Sequence, residues 1–269
     1  MSAEMDQPAI LETRRIGDLW HVLPAWLPVP GMGALPVNSF LLKGREPMLV
    51  DTGLAALGED FLARLETEID LDDLRWIWLS HMDADHVGNL QRILERAPNA
   101  RVITNFLGMG KMNLAGLDVS RVHLLEPGAV LEVGGRRLRP LRPPYYDAPE
   151  TIGFFDETER AFFAADSFGA LLPSVADDIA DIPADTLRDG LVGWSSIDAP
   201  WLTVADRAAL GRTLAAIERL DPALVLSGHL PLARGDVSRL TRTVAGAYCR
   251  GATASLDPLA VEHLAAALG

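Results

Sequence analysis

Short apolar runs alternate with amphipathic ones through the first half of the chain, and their periods separate strands from helices. Residues 17–23 read as a strand ending before Pro24, and residues 38–43 and 48–50 as a hairpin pair closing on Asp51-Thr52-Gly53. Phe61, Leu62 and Leu65 share one face at helical spacing, which predicts a helix over 58–68. Residues 74–80, LRWIWLS, form a buried-strand pattern that runs straight into HMDADHVGN, with a helix at 89–96. A strand at 101–104 and a helix at 106–117 lead into short strands at 122–125, 130–133, 137–141, 151–155 and 161–165, and Gly134-Gly135 marks a hairpin turn. From residue 173 the pattern turns mainly helical, most clearly over 203–220, where Asp206 or Thr203 offers a cap. Residues 223–226 form a last strand, whose end delivers SGHLP. Residues 236–269 read as helical, with Leu240, Val244 and Tyr248 and then Leu259, Val261, Leu264 and Leu268 on apolar faces. Those faces suit a cover for the core, or a homodimer interface. With no internal repeat and no long linker, residues 1–269 read as one α/β domain, an αββα sandwich of two mixed β-sheets with helices on both outer faces.

Composition narrows the function classes. The 269 residues are 49% hydrophobic and 23% charged, an ordinary globular balance that excludes a disordered chain. No apolar run approaches the roughly 18 residues of a membrane span. The opening MSAEMDQPAI has neither the basic region nor the apolar core of a signal peptide, so the expected location is cytoplasmic, with no membrane partner. Lys and Arg number 24 against 37 Asp and Glu, a net charge of −13 that works against binding a nucleic-acid backbone. Cys249 is the lone cysteine and reads as a small hydrophobe.

The chemistry concentrates at residues 81–86. His81, Asp83, Asp85 and His86 follow directly on an apolar strand, and alternate residues leaving a strand, here His81, Asp83 and Asp85, project to one side. An acid that caps the next helix would explain one aspartate. Two imidazoles and two carboxylates in six positions point instead to a divalent metal. HMDADH resembles the HxHxDH motif of the metallo-β-lactamase superfamily, and three further motifs follow in that superfamily's order. Asp51 in LVDTG resembles the early aspartate that supports the metal loop, Asp166 in AADSFG the bridging carboxylate, and His229 in SGHLP the last histidine ligand. The resemblance covers roughly residues 17–232 and implies the superfamily's αββα fold.

Of two departures from the common pattern, the first places the chain nearest the flavodiiron and oxygen-binding diiron branch. Asp83 stands at the middle histidine of the motif, where flavodiiron proteins carry a glutamate. Asp147, in YYDAPETIGFFD and 19 residues before Asp166, stands at the place of a further histidine. His123 reads as a structural residue of a strand. Carried over position by position, the resemblance implies that site one comprises His81, Asp83 and Asp147, and site two Asp85, His86 and His229. Asp166 would bridge them. Four carboxylates and three imidazoles without sulfur suit iron or manganese better than zinc. Four aspartates also balance two divalent ions in formal charge. Tyr145 and Tyr146 beside Asp147 read as strand packing or as pocket walls, and Trp194 and Trp201 as cavity walls or filling.

The function implied is a dinuclear non-haem iron protein that binds or activates O2 or NO, as a redox enzyme or an oxygen sensor. The cofactors are two metal ions, iron before manganese or zinc. The expectation is that this chain binds no flavin, because no flavodoxin-like extension follows, and that a separate electron donor or a reducing small-molecule substrate serves it. The alternative is a metal-dependent hydrolase of an ester, thioester or lactone, attacked by metal-activated water.

Overall fold

A computed structural model describes residues 7–126 and 128–249, and the expected apolar face at Leu259, Val261, Leu264 and Leu268 lies outside them. Eight strands form the first sheet: β1 (Ala9–Ile10), β2 (Arg14–Arg15), β3 (Trp20–Val29), β4 (Gly33–Leu42), β5 (Met48–Val50), β6 (Trp76–Trp78), β7 (Arg101–Thr104) and β8 (Val122–Leu124). Their order is β1-β3-β4-β5-β6-β7-β8, with β2 also on β3. The β5–β6, β6–β7 and β7–β8 pairs are parallel and the remainder antiparallel. Helices α1 (Gly58–Glu68), α2 (Ala84–Val87), α3 (Leu90–Arg96) and α4 (Phe106–Leu114) belong to this half.

The second sheet holds β9 (Leu131–Val133), β10 (Arg136–Leu141), β11 (Gly153–Asp156), β12 (Ala161–Phe163), β13 (Leu224–Leu226) and β14 (Ala233–Arg234), in the order β14-β13-β12-β11-β10-β9. Only β12–β13 is parallel there. Helices α5 (Ala184–Asp198), α6 (Arg207–Leu220) and α7 (Val237–Val244) complete it.

Strands that are buried on both faces read as continuous apolar runs, yet their side chains still alternate. On β5, Met48 and Val50 enter the cluster between the sheets with Trp78, Phe154 and Phe163, while Leu49 packs outward with Ile77, Phe61, Leu62, Leu90 and Ile93. On β12, Phe163 faces inward, and Phe162 joins Leu187, Leu191, Leu210, Leu214 and Leu240 from α5, α6 and α7. These layers are the expected αββα sandwich. Gly134 and Gly135 both take positive φ, 57° and 91°, in the tight turn between β9 and β10.

Pro24 does not end its strand. β3 runs through it for ten residues, because the residue opposite, Asn38, sends its N–H to Gly228 O in the loop after β13 (2.8 Å), so the pair exchanges no ladder hydrogen bonds and the N–H that Pro24 lacks is not needed there. His123 lies on β8 with its ring against Trp76, and burial holds its pKa below the usual value. No helix among the described residues is long and apolar enough to cross a membrane.

Candidate metal centre

Asp51 follows β5, His81 follows β6, Asp166 follows β12 and His229 follows β13. The carboxyl ends of the parallel strands of both sheets thus meet at one edge of the sandwich, where α/β sheets gather binding groups. Asp85 and His86 arrive there differently from the sequence expectation. The extended chain stops at Asp83, and the single turn of α2 swings Asp85 and His86 inward. Thr52 ties that turn to the end of β5, since its N–H and Oγ1 both donate to His86 O (2.6 and 2.9 Å). Asp83 occupies the N-cap position of α2 but makes no capping bond, so its carboxylate is free for another use.

Each of the three imidazoles is anchored at one nitrogen. His86 Nδ1 donates to Asp51 Oδ2 (2.8 Å) and His229 Nδ1 to Pro36 O (2.8 Å). Ser80 Oγ donates to Asp51 Oδ2 (2.8 Å) and accepts from His81 Nδ1 (2.9 Å). This network fixes all three Nδ1–H tautomers and turns the Nε2 lone pairs inward. His81 Nε2, His86 Nε2 and Asp166 Oδ1 are all buried without a hydrogen-bond partner among the described residues. Buried polar atoms are rarely left so, and three converging on one point indicate that a cation belongs between them.

Asp166 faces both halves of the site. Its Oδ2 lies 3.2 Å from His81 Nε2, and its Oδ1 lies 3.1 Å from His86 Nε2 and 3.4 Å from His229 Nε2. Asp85 Oδ2 lies 3.3 Å from His229 Nε2 and 3.5 Å from His86 Nε2. Two donors each about 2.1 Å from a common ion and at right angles stand about 3 Å apart, so these spacings fit shared ions. Four donor groups among the described residues have ligand atoms within 4.8 Å of one another, three of them made only of sequence-expected ligands: His81, His86 and Asp166; Asp85, His86 and His229; and His81, Asp83 and Asp147. All seven sequence-expected ligands therefore come together. Asp147 sits in the β10–β11 loop with Oδ1 3.9 Å from His81 Nε2, and it and Asp83 form the solvent-facing side of the cluster.

Electrostatics bind these groups into one unit. Burial disfavours a charged His81 ring, but the facing Asp166 carboxylate outweighs it and holds the pKa up at about 9. His86 is raised well above its usual value for the same reason: burial opposes, and Asp85, Asp166 and Asp51 prevail. Asp166 is buried too, yet His81, His86 and His229 hold it well below the carboxylate range. Against burial, His86 and His229 lower Asp85, whereas burial raises Asp147.

The aromatic residues divide. Tyr145 lies in a loop and not in a strand. Its ring packs on Phe168, and its hydroxyl accepts from Phe168 N (2.6 Å), so it braces the backbone beside Asp166. Tyr146 packs against Trp201, whose Nε1 donates to Tyr146 O (2.8 Å), and Arg142 covers its ring. Trp194 reaches the site itself, with its ring 5.0 Å from that of His229. Gly228 packs closely on the site: a Cβ there would stand 3.1 Å from His86 Cε1 and 3.3 Å from Asp166 Oδ1, so either group would have to shift by a few tenths of an ångström to admit it.

One site residue had no signal in the sequence. Asp198, the last residue of α5, offers an oxygen within 4.8 Å of donor atoms of Asp147 and Asp166. Burial and those two carboxylates push its pKa up to about 8.

The family model described as ODP family beta lactamase matches residues 35–229. The Type A flavoprotein fprA of Rhodobacter capsulatus is 27% identical over 238 residues, covering 85% of this chain and 53% of that protein. The chain thus spans about half the length of that curated relative. Among solved structures, a variant of the flavo di-iron protein from Thermotoga maritima matches 89% of this chain and 62% of its own with a TM-score of 0.77 and 19% identity. Rubredoxin oxygen:oxidoreductase from Desulfovibrio gigas matches 90% of this chain and 61% of its own with a TM-score of 0.73 and 19% identity. These likenesses establish the fold.

Proposed function

The chain belongs to the ODP beta-lactamase family, and from that premise we propose that it holds two iron ions and uses them to bind or activate O2 or NO. The observation that carries the reading is the set of inward-facing Nε2 atoms of His81 and His86, buried without partners around the two oxygens of Asp166. Site one would be held by His81, Asp83 and Asp147, site two by Asp85, His86 and His229, and Asp166 would join them. Iron ions supply one-electron changes of oxidation state and open positions for a diatomic gas.

The chain's own residues do the rest. Asp51 and Ser80 keep the His86 and His81 rings in one tautomer and one orientation. Asp166 fixes the separation of the two halves. The site has no sulfur donor and a high carboxylate count, which favours iron or manganese over zinc and supports a redox role over a hydrolytic one. The names of the fprA flavoprotein, the flavo di-iron protein and the rubredoxin oxygen:oxidoreductase agree with that direction. A separate electron donor belongs to the same proposal.

The test is elemental analysis of protein prepared without oxygen, followed by Mössbauer and optical spectra before and after admitting air or NO. About two irons per chain with a gas-dependent absorption band is the expected result. Zinc in their place, with no spectral response and with hydrolysis of an ester, thioester or lactone, would overturn it.

A further inference from the structure

Asp198 is badly placed as a lone anion. It ends α5, where the helix dipole is already negative, and the last turn carries no basic residue. Its neighbours at the site are Asp147 and Asp166, both carboxylates. Its Oδ2 is shut off from solvent without a hydrogen-bond partner among the described residues, and no Lys or Arg among them pairs with it. The turn that carries it is firmly held, because Ser195 on α5 shares a hydrogen bond of 2.9 Å with Tyr248 Oη. His81 borders the same two carboxylates, Asp147 and Asp166. His81 is wholly buried, and its unpartnered Nε2 faces Asp166 Oδ2 at 3.2 Å and Asp147 Oδ1 at 3.9 Å.

We propose that Asp198 is a further protein ligand of site one, so that the two metal positions differ in chemistry. The inference rests on the two-metal reading above. Site one then has a single imidazole, His81, and the carboxylates Asp83, Asp147, Asp166 and Asp198. Site two has two imidazoles, His86 and His229, with Asp85 and Asp166. Oxygen-rich surroundings select hard ions, and imidazoles suit borderline ones. Site one is accordingly the position for Mn2+ or for iron in its oxidised state, and site two for Fe2+ or Zn2+. With Asp198 the ligands carry five carboxylates, one more than two divalent ions neutralise. The surplus anion favours a mixed pair holding one trivalent ion.

The experiment is titration of the metal-depleted 269-residue chain with Mn2+, followed by calorimetry and by the electron spin resonance of unbound Mn2+. The wild type is expected to take up two ions. Asp198→Asn is expected to keep one ion at wild-type affinity and to bind the other about ten- to a hundredfold more weakly, with Asp198→Glu recovering part of the loss. Equal affinities for both ions in wild type and Asp198→Asn would overturn the inference while leaving the two-metal reading intact. A wild type that binds a single ion would overturn that reading and the inference with it. An independent readout uses Asp198→Cys with Cd2+. A thiolate-to-cadmium absorption band absent from the wild type, whose Cys249 serves as the background, is expected. Its absence in a folded variant would overturn the assignment.

Discussion

A single carboxylate, Asp51, organises half of the site without belonging to any of the donor groups. Its Oδ1 accepts from Ser80 N (2.8 Å), and its Oδ2 accepts from Ser80 Oγ and from His86 Nδ1 (2.8 Å each). The residue holds a left-handed φ of 56°, as do Ala165 at 47° and Phe168 at 68° on either side of Asp166. Non-glycine residues in that region cost about 1–3 kcal/mol each and persist where their surroundings over-determine them. Three of the five non-glycine residues with positive φ among the described residues thus lie beside the groups proposed to hold metal, while Arg160 and Asp221 lie elsewhere. In Asp51→Asn an amide can turn its NH2 toward His86 Nδ1, which moves the ring proton to Nε2 and blocks the lone pair that faces Asp166. We expect this variant to bind the ion of site two about ten- to a hundredfold more weakly at unchanged circular dichroism. Metal titration checks it, and an unchanged affinity would show that Asp51 does not set the ring.

At the scale of elements, the sequence exposes what short-range patterns control. The strands β5, β6 and β7 and the helix α1 stand where the periodicity puts them, and the acidic and histidine groups at strand ends were readable because a strand end is a local signal. Three features were not local. β3 continues past Pro24 because Asn38 opposite it is engaged by the loop after β13, which no window of sequence contains. Tyr145 is used by Phe168, a partner from another loop. Asp198 lies on an amphipathic helix, where an acid reads as one more solvent-facing residue until α5 packs its end against the site. The opposite edge of the sandwich carries its own long-range polar link. Trp20 Nε1 of β3 donates to Asp156 Oδ2 of β11 (2.9 Å), which also takes Arg136 of β10 (2.9 Å). All of Asp156 is buried, and its end of β11 pairs with the start of β12, away from Asp166. Asp156→Ala should therefore lower stability by about 3 kcal/mol, by leaving a buried indole N–H and part of a buried charge unmatched. Its metal affinities should stay at the wild-type level, since no ligand moves. Denaturant unfolding beside Mn2+ titration separates the two effects, and a loss of metal binding would show that the two edges of the sandwich are coupled.

For the whole molecule, folding gathers acids and imidazoles at one edge of a chain whose net charge is already −13. Without metal ions, protons take the cations' place. His81 is raised to about 9 and His86 is raised well above its usual value, so both rings bind protons more tightly folded than unfolded. Asp198, raised to about 8, acts in the same sense. A group with a raised folded pKa contributes stability that is complete below its unfolded value and lost as pH climbs through the folded one. For His81 that loss begins near 6.5 and runs to about 9. Asp166 and Asp85 have lowered pKa values and the opposite sign: their contribution is present above the usual carboxylate range and disappears in acid. The metal-depleted chain should thus be most stable in mildly acidic solution and should melt at progressively lower temperature from neutral pH to about 9. Metal ions reverse the slope, because they bind the deprotonated rings and expel the protons. The melting-temperature gap between loaded and depleted protein should therefore widen with rising pH, and calorimetry in buffers of different ionisation enthalpy should register protons released on loading. A gap that stays constant from pH 6.5 to 9 would mean that the imidazoles are not the groups that exchange protons for metal.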